Sequence, residues 1–365
     1  MWRKLFATLS YIFIAATLIS AHGPRLADKE IAAEYAPIFY QGLGDKPQYD
    51  YLARFDFDGD WRGDNNWANA DKALDTGAYV YYSVCETATH YFIHYAVYHP
   101  RDYKGGDKKG ALLGELLRQG ADIVKDRDPT GILDEVTLAH ENDMEGCLVV
   151  VEKSAAQAVF VETLSHNKFK RYVPESDAKS EFARVELDEK RPRLHIEPKG
   201  HGIEAYDEAG EKPVKDRKVL LYQVGAKAGK SSATQESAVN YELLPIITTL
   251  WPNAAKAPNL TYGATNDYAT ITVGTEKGDK KVKLGKLGAA FLGKVGAVNA
   301  ARPPWGWFDS DERDQPLGQW FFDPARAVQR HFKLGEKFSV AYTRQPFLGI
   351  GIETAKAQKV SKARG

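Results

Sequence analysis

The chain has 365 residues, long enough for one large domain or two ordinary ones with a full core. Lys plus Arg equals Asp plus Glu, 49 each, so no bulk basic charge points to nucleic acid. Aromatics reach 12%, with 19 Tyr and 7 Trp, which favours a β-rich fold.

The first residues read as an export signal. Arg3 and Lys4 precede an apolar stretch from Leu5 to Ile19, and Ser20-Ala21 offers small residues for cleavage. The expectation is a signal peptide over 1–21, a single β-sandwich domain over 22–353 and a disordered tail over 354–365. An uncleaved anchor is the alternative, since the apolar stretch approaches spanning length. Nothing after it is apolar enough to cross a bilayer, so the protein is expected outside the cytoplasm, secreted or periplasmic. Cys85 and Cys147 could pair there or remain buried thiols.

Leu26 to Tyr35 reads as a short helix with Asp28 at its N-cap and Ile31 and Tyr35 on one face. Pro37 ends it, and Ile38-Phe39-Tyr40 has the look of an edge strand. The alternating aspartates Asp56, Asp58 and Asp60 suggest a calcium loop. Gly59 falls too early for an EF-hand, however, and Trp67 stands where the Glu belongs, so a polar turn closed by aromatics is preferred. Ala78 to Pro100 is a β-hairpin broken near Glu86-Thr87-Ala88-Thr89. Its second strand aligns His90, Phe92, His94, Ala96 and Tyr98, a phase that carries forward to Asp102. His94 reads as a core histidine before a ligand. After a Lys/Gly/Asp loop, Ala111 to Val124 has helical spacing, weakened by Gly114 and Gly120.

Ala139-His140-Glu141-Asn142-Asp143-Met144-Glu145-Gly146-Cys147 then runs into Leu148-Val149-Val150-Val151, the composition of a buried strand entered through a polar cluster. Alternation puts Asp143 and Glu145 on one face, with Cys147 beneath them. His140 joins them only if a bend or bulge precedes the strand. One imidazole and two carboxylates at a strand entrance suit a hard cation. The plainer alternative is a strand end with solvated charges.

Ala158 to Leu164 is a further strand leading into Ser165-His166-Asn167, and Lys190 to Tyr206 holds a strand pair containing Lys199-Gly200-His201-Gly202. Val219 to Val224 reads as a strand. The GAKAGKSS run from Gly225 lacks the phosphate-loop spacing and is read as a surface loop. Tyr241 to Leu250 has the look of a short helix, and Tyr268 to Val273 with Lys281 to Leu284 that of a hairpin around Gly278-Asp279. The aromatic runs Pro303 to Phe308 and Trp320 to Phe322 could stack on sugar if exposed. Packing against the sandwich is the preferred reading.

The order of these pieces resembles the necrosis-inducing (necrosis- and ethylene-inducing) family of secreted β-sandwich cytolysins and their vacuolar-protein-sorting-like relatives. The family signature is Gly-His-Arg-His-Asp-Trp-Glu before a Gly and an aliphatic strand. Here His140, Asp143, Glu145 and Gly146 match it, while Ala139, Glu141, Asn142 and Met144 depart from it. Upstream, Tyr95 to Asp102 is similar to the family's Tyr-rich strand ending in Pro-Lys-Asp, and Leu164-Ser165-His166-Asn167 is similar to its Ser-Ala-His-Gly element. Lys199 to Gly202 looks like the Gly-His element of the vacuolar-sorting-like branch. The resemblance covers roughly 78–206 and implies a divalent cation, Ca²⁺ or Mg²⁺, held by Asp102, His140, Asp143 and Glu145, with His166 as a neighbour. It sets the fold expectation as mainly β, a sandwich with the 111–124 helix inserted near the site. It departs from the family in that long insertion and in the lost Trp.

A filled coordination shell would bridge the protein to a cell-surface lipid headgroup or glycan. An open shell would instead acidify a water for phosphoester or glycan hydrolysis, with His140 or Glu141 as base. A purely structural cation is the third possibility.

Overall fold

The computed structural model describes residues 27–44, 46–103, 139–175, 177, 180–207, 219–232, 238–295 and 301–351. Residues 1–21, expected as a signal, 111–124, expected as a helix, and 354–365, expected as a tail, all lie outside the described residues. As expected, the fold is mainly β, 45% strand and 18% helical, with a mixed sheet that is nearly closed.

Fifteen strands follow in order: β1 (Ile38–Gly42), β2 (Ala78–Thr87), β3 (His90–Asp102), β4 (His140–Glu152), β5 (Gln157–Ser165), β6 (Lys168–Pro174), β7 (Ala183–Val185), β8 (Leu187–Asp188), β9 (Arg191–Ile196), β10 (Ile203–Ala205), β11 (Val219–Val224), β12 (Val239–Pro245), β13 (Tyr262–Thr275), β14 (Lys280–Phe291) and β15 (Ala341–Arg344). Among the described residues helices are few: α1 (Asp28–Glu34), α2 (Asn66–Asn69), α3 (Gln319–Phe322) and α4 (Pro324–His331). The sheet runs β10-β9-β1-β11-β12-β2-β3-β4-β5-β6-β7. It curls until its two ends meet, where Lys170 of β6 pairs with Glu204 of β10.

The centre of the sheet is buried on both faces, which is why β4 carries an unbroken aliphatic run. Val80, Tyr82, Ile93, Tyr95, Cys147 and Val149 point inward, against α1 and the far side of the curl. Tyr81, Phe92, Tyr98, Met144 and Leu148 point outward, where the β13–β14 hairpin and the aromatic segment with Trp305, Trp320 and Phe321 cover them. The aromatic runs are therefore packed. Cys85 and Cys147 are unpaired and belong to these opposite faces. His94 is a core histidine: its Nε2–H donates to the Trp320 carbonyl at 3.0 Å.

Several local expectations are corrected. Ile38-Phe39-Tyr40 is not an edge, because β1 pairs β11 on one side and β9 on the other. Residues 241–245 are extended rather than helical. Val239, Tyr241 and Leu243 alternate inward, and β12 lies parallel to both β11 and β2, with a single 3-10 turn following from Ile246. Ala27, not Asp28, is the N-cap of α1, with Asp28 as its first residue, which still places an acid at the positive end.

Gly146 sits where β4 passes beneath the outer layer. A Cβ there would press into the Trp307 indole and the Tyr95 carbonyl oxygen. Gly146→Ala is expected to destabilise the fold by about 1–3 kcal/mol, the usual range for overpacking. Urea unfolding checks it, and an unchanged midpoint would mean the outer layer yields freely.

Candidate functional site

β3 and β4 end together, and the site grows from that shared end. His99 lies opposite Asp143, Arg101 opposite Glu141 and Asp102 opposite His140. Asn142, between those pairs, takes a left-handed φ of 60° without shifting the register. This is a bend rather than a bulge. Its strain is offset locally, since the Asn142 side chain donates to the Gly63 and Leu292 carbonyls and accepts from Asn66 and Tyr98.

Past the bend, Asp102, His140, Asp143, Glu145 and His166 all line one cavity of about 450 Å³. Met144, Asn167, Gly200, Arg302, Trp307 and Phe308 complete much of its wall. His166 comes from the turn after β5 and is more exposed than the rest, with Nε2 at 2.8 Å from Glu197 Oε2. Glu141, the alternative base, does not reach the cavity. Its carboxylate accepts from the backbone N–H groups of Trp67 and Lys294, both at 2.7 Å, tying α2 and the 292–295 segment to β4.

The electrostatics are those of crowded acids. Burial pushes the Glu145 carboxyl well above its ordinary range, and the nearby Asp143 and Asp102 push the same way. Glu145 Oε2 is buried and has no hydrogen-bond partner. His140 Nδ1 must donate to the Asn142 carbonyl at 2.7 Å, so in the neutral ring Nε2 carries a lone pair. That nitrogen lies 3.7 Å from Asp102 Oδ2. A backbone carbonyl fixing the far nitrogen is the usual arrangement around a metal-binding imidazole.

Beneath Asp143 lies a support that the sequence reading did not assign. His201 Nδ1 is 2.7 Å from Asp143 Oδ2, and its Nε2 is 3.3 Å from Asp50 Oδ1. Asp50 is itself held by N–H donation from Gly44 and Lys199 and by the Tyr103 hydroxyl. Burial works against a charge on His201, but its bonds to Asp143 and Asp50 win and raise its pKa to about 10. His99 stacks on it, ring centroids 3.7 Å apart and nearly parallel at 7°. Burial, and then the His201 charge, hold His99 neutral. Lys199-Gly200-His201-Gly202 was the one available signal for this layer.

His99, Asp143 and His201 bring ligand atoms within 4.8 Å of one another, the one such trio among the described residues. His201, charged and donating from its two nitrogens to Asp143 and Asp50, has no lone pair to offer an ion. The trio is therefore read as a hydrogen-bonded support for Asp143. Asp102, His140, Asp143 and Glu145 face a shared cavity and include a carboxylate oxygen without a partner, but no three of them bring ligand atoms within 4.8 Å of one another.

No family model matches the chain, and no curated protein matches it. Among solved structures, NLPPya in complex with mannosamine is similar at 18% identity over 50% of this chain and 70% of that one, with a TM-score of 0.31. NLPPya in complex with glucosamine is similar at 17% identity and a TM-score of 0.22, over 35% of this chain and 44% of that one, under half its length. Necrosis and Ethylene inducing Protein 2 from the causal agent of cocoa's Witches Broom disease is similar at 15% identity over 60% and 74%, with a TM-score of 0.30. The neighbours are thus necrosis- and ethylene-inducing proteins at low identity. TM-scores this low decide nothing about site or activity. The likeness to vacuolar-sorting-like proteins gains no support from them.

Proposed function

We propose that this is a secreted protein that holds a divalent cation, Ca²⁺ or Mg²⁺, at Asp102, His140, Asp143 and Glu145, and through it binds a cell-surface lipid headgroup or glycan. The observation that carries the reading is the cavity itself, where these side chains meet with a carboxylate oxygen left unsatisfied. A buried polar atom without a partner is costly unless a ligand completes it. His166 stands beside the cation as a neighbour. On the wall Trp307 is packed and Phe308 is half-buried with Arg302 over its ring. The glycan side of the proposal rests on the hydroxyl oxygens a bound cation would take, not on the sugar complexes of the distant neighbours.

Export rests on the charged, apolar and small-residue order of residues 1–21. No helix among the described residues is long and apolar enough to cross a membrane.

The competing reading, a metal-dependent hydrolase, loses one of its two bases, because both Glu141 oxygens are engaged by backbone donors. A lipid and glycan array probed with the wild type in Ca²⁺, the wild type in EDTA, and Glu145→Gln in Ca²⁺ separates the outcomes. Binding is expected only in the first condition. Equal binding in all three would remove the cation from the interaction, and turnover of a phosphoester in the first alone would favour the hydrolase.

A further inference from the structure

We propose that the cavity selects a ligand bearing an oxyanion, a phosphate or carboxylate carried on a hydroxyl-rich body, and that Arg302 is the residue that anchors that anion. The inference rests on the cation reading above and names the substrate class of the same site.

Among the described residues Arg302 is the one guanidinium on a wall whose other ionisable groups are carboxylates and imidazoles. If its purpose were to neutralise those acids, it would be paired with one of them. No carboxylate of the described residues forms an ion pair with it, whereas Arg171, Arg193, Arg330 and Arg344 each hold an acid partner. Its guanidinium carbon instead lies 4.4 Å above the centre of the Phe308 ring. Burial lowers its pKa, the mark of a charge taken partly out of water without an ionic partner.

The position is also held in advance. Pro303 and Pro304 follow directly, and a Cβ added at Gly306 would come within 3.2 Å of the Arg302 Cβ, so the glycine leaves room for it. Stacking on Phe308 further restricts the long side chain, so little freedom remains to be lost on binding. A guanidinium so placed presents a planar fork of donors that matches a phosphate or carboxylate edge. A divalent cation on the acidic side of the same cavity takes hydroxyl oxygens. A neutral sugar would satisfy the cation and leave Arg302 unpaired. A free oxyanion would satisfy Arg302 and leave the cation without hydroxyl oxygens.

The test is calorimetric titration of the full chain in Ca²⁺ with glucose, glucose 6-phosphate, glucuronate and inorganic phosphate. Glucose 6-phosphate and glucuronate are expected to bind about tenfold tighter than glucose, the least gain from one charged hydrogen-bonded contact. Arg302→Gln should cancel that advantage while Ca²⁺ affinity and melting temperature stay at wild-type values. Arg302→Lys, which keeps the charge and loses the fork, should retain part of it. Glucose binding as tightly as its acids, or an advantage that survives in Arg302→Gln, would overturn the assignment. Inorganic phosphate binding as tightly as glucose 6-phosphate would overturn the hydroxyl-bearing body. The same titrations in EDTA keep the two readings apart. Failure of Ca²⁺ itself to bind removes the cation, while a preference for the acids that depends on Arg302 would still stand.

Discussion

Stripping divalent cations with EDTA is expected to lower the melting temperature of the wild-type chain by about 5 °C. An ion that binds only the folded state adds RT ln(1 + [L]/Kd), about 2.7 kcal/mol at a hundredfold excess over Kd. For a domain of this size each kcal/mol is worth roughly 2 °C. Without the ion, burial and the Asp143 charge keep the Glu145 carboxyl protonated above its usual range. The cation replaces that proton, so its affinity should rise with pH. Glu145→Gln copies the protonated form closely. It should melt like wild type in EDTA and ignore added Ca²⁺ or Mg²⁺. Asp143→Asn should melt lower still, because it also weakens the charged bond with which His201 is held, 2.7 Å from Asp143. Thermal melting of the three proteins in EDTA, Ca²⁺ and Mg²⁺ decides the matter. Identical wild-type melts would mean that the cluster holds no stabilising cation and that the acids are simply a strand end.

What was legible in the sequence was whatever depends on near neighbours in the chain. Period-two alternation marked β3 and β4, and it placed Asp143 and Glu145 together above Cys147, which does pack in the inner core. It also stated a condition for His140, a bend or bulge before the strand; the left-handed Asn142, at φ 60°, lies instead inside β4. The errors at 38–40 and 241–250 share a cause. Whether a short apolar stretch is an edge, a central strand or a helix depends on distant partners, here β9, β11 and β2. The layer beneath the site was hidden for the same reason. His201 lies 58 residues from Asp143 and 151 from Asp50, so no local spacing connects them. Arg302 arrives from a segment read only for its aromatic residues.

The other large effect belongs to the core and not to the cavity. Stability is expected to fall as pH drops from about 6.5 toward 3, and His94 should account for much of the fall. Burial drives the pKa of this imidazole down to about 3, and the hydrogen bond it donates to the Trp320 carbonyl offsets only part of that. Its ring is enclosed by Trp320 and Phe321, with centroids 5.1 and 5.3 Å away. In the unfolded chain it titrates near 6.5. Below that pH the unfolded state therefore binds a proton that the folded state refuses. A depressed pKa contributes stability that is fully present above the unfolded value and is lost as pH falls toward the folded one. At about 1.4 kcal/mol per unit, the interval corresponds to about 5 kcal/mol, an upper figure because a core can relax or admit water. Asp323 works in the opposite sense. Burial raises its carboxyl to about 6, so its contribution grows as pH falls through that value. His94→Gln keeps an N–H for the Trp320 carbonyl and removes the titration. It should be less stable than wild type at pH 7, yet its urea midpoint should decline much less between pH 6.5 and 4. Parallel declines in the two proteins would show that His94 is charged or solvated in the folded state and that the acid sensitivity lies elsewhere.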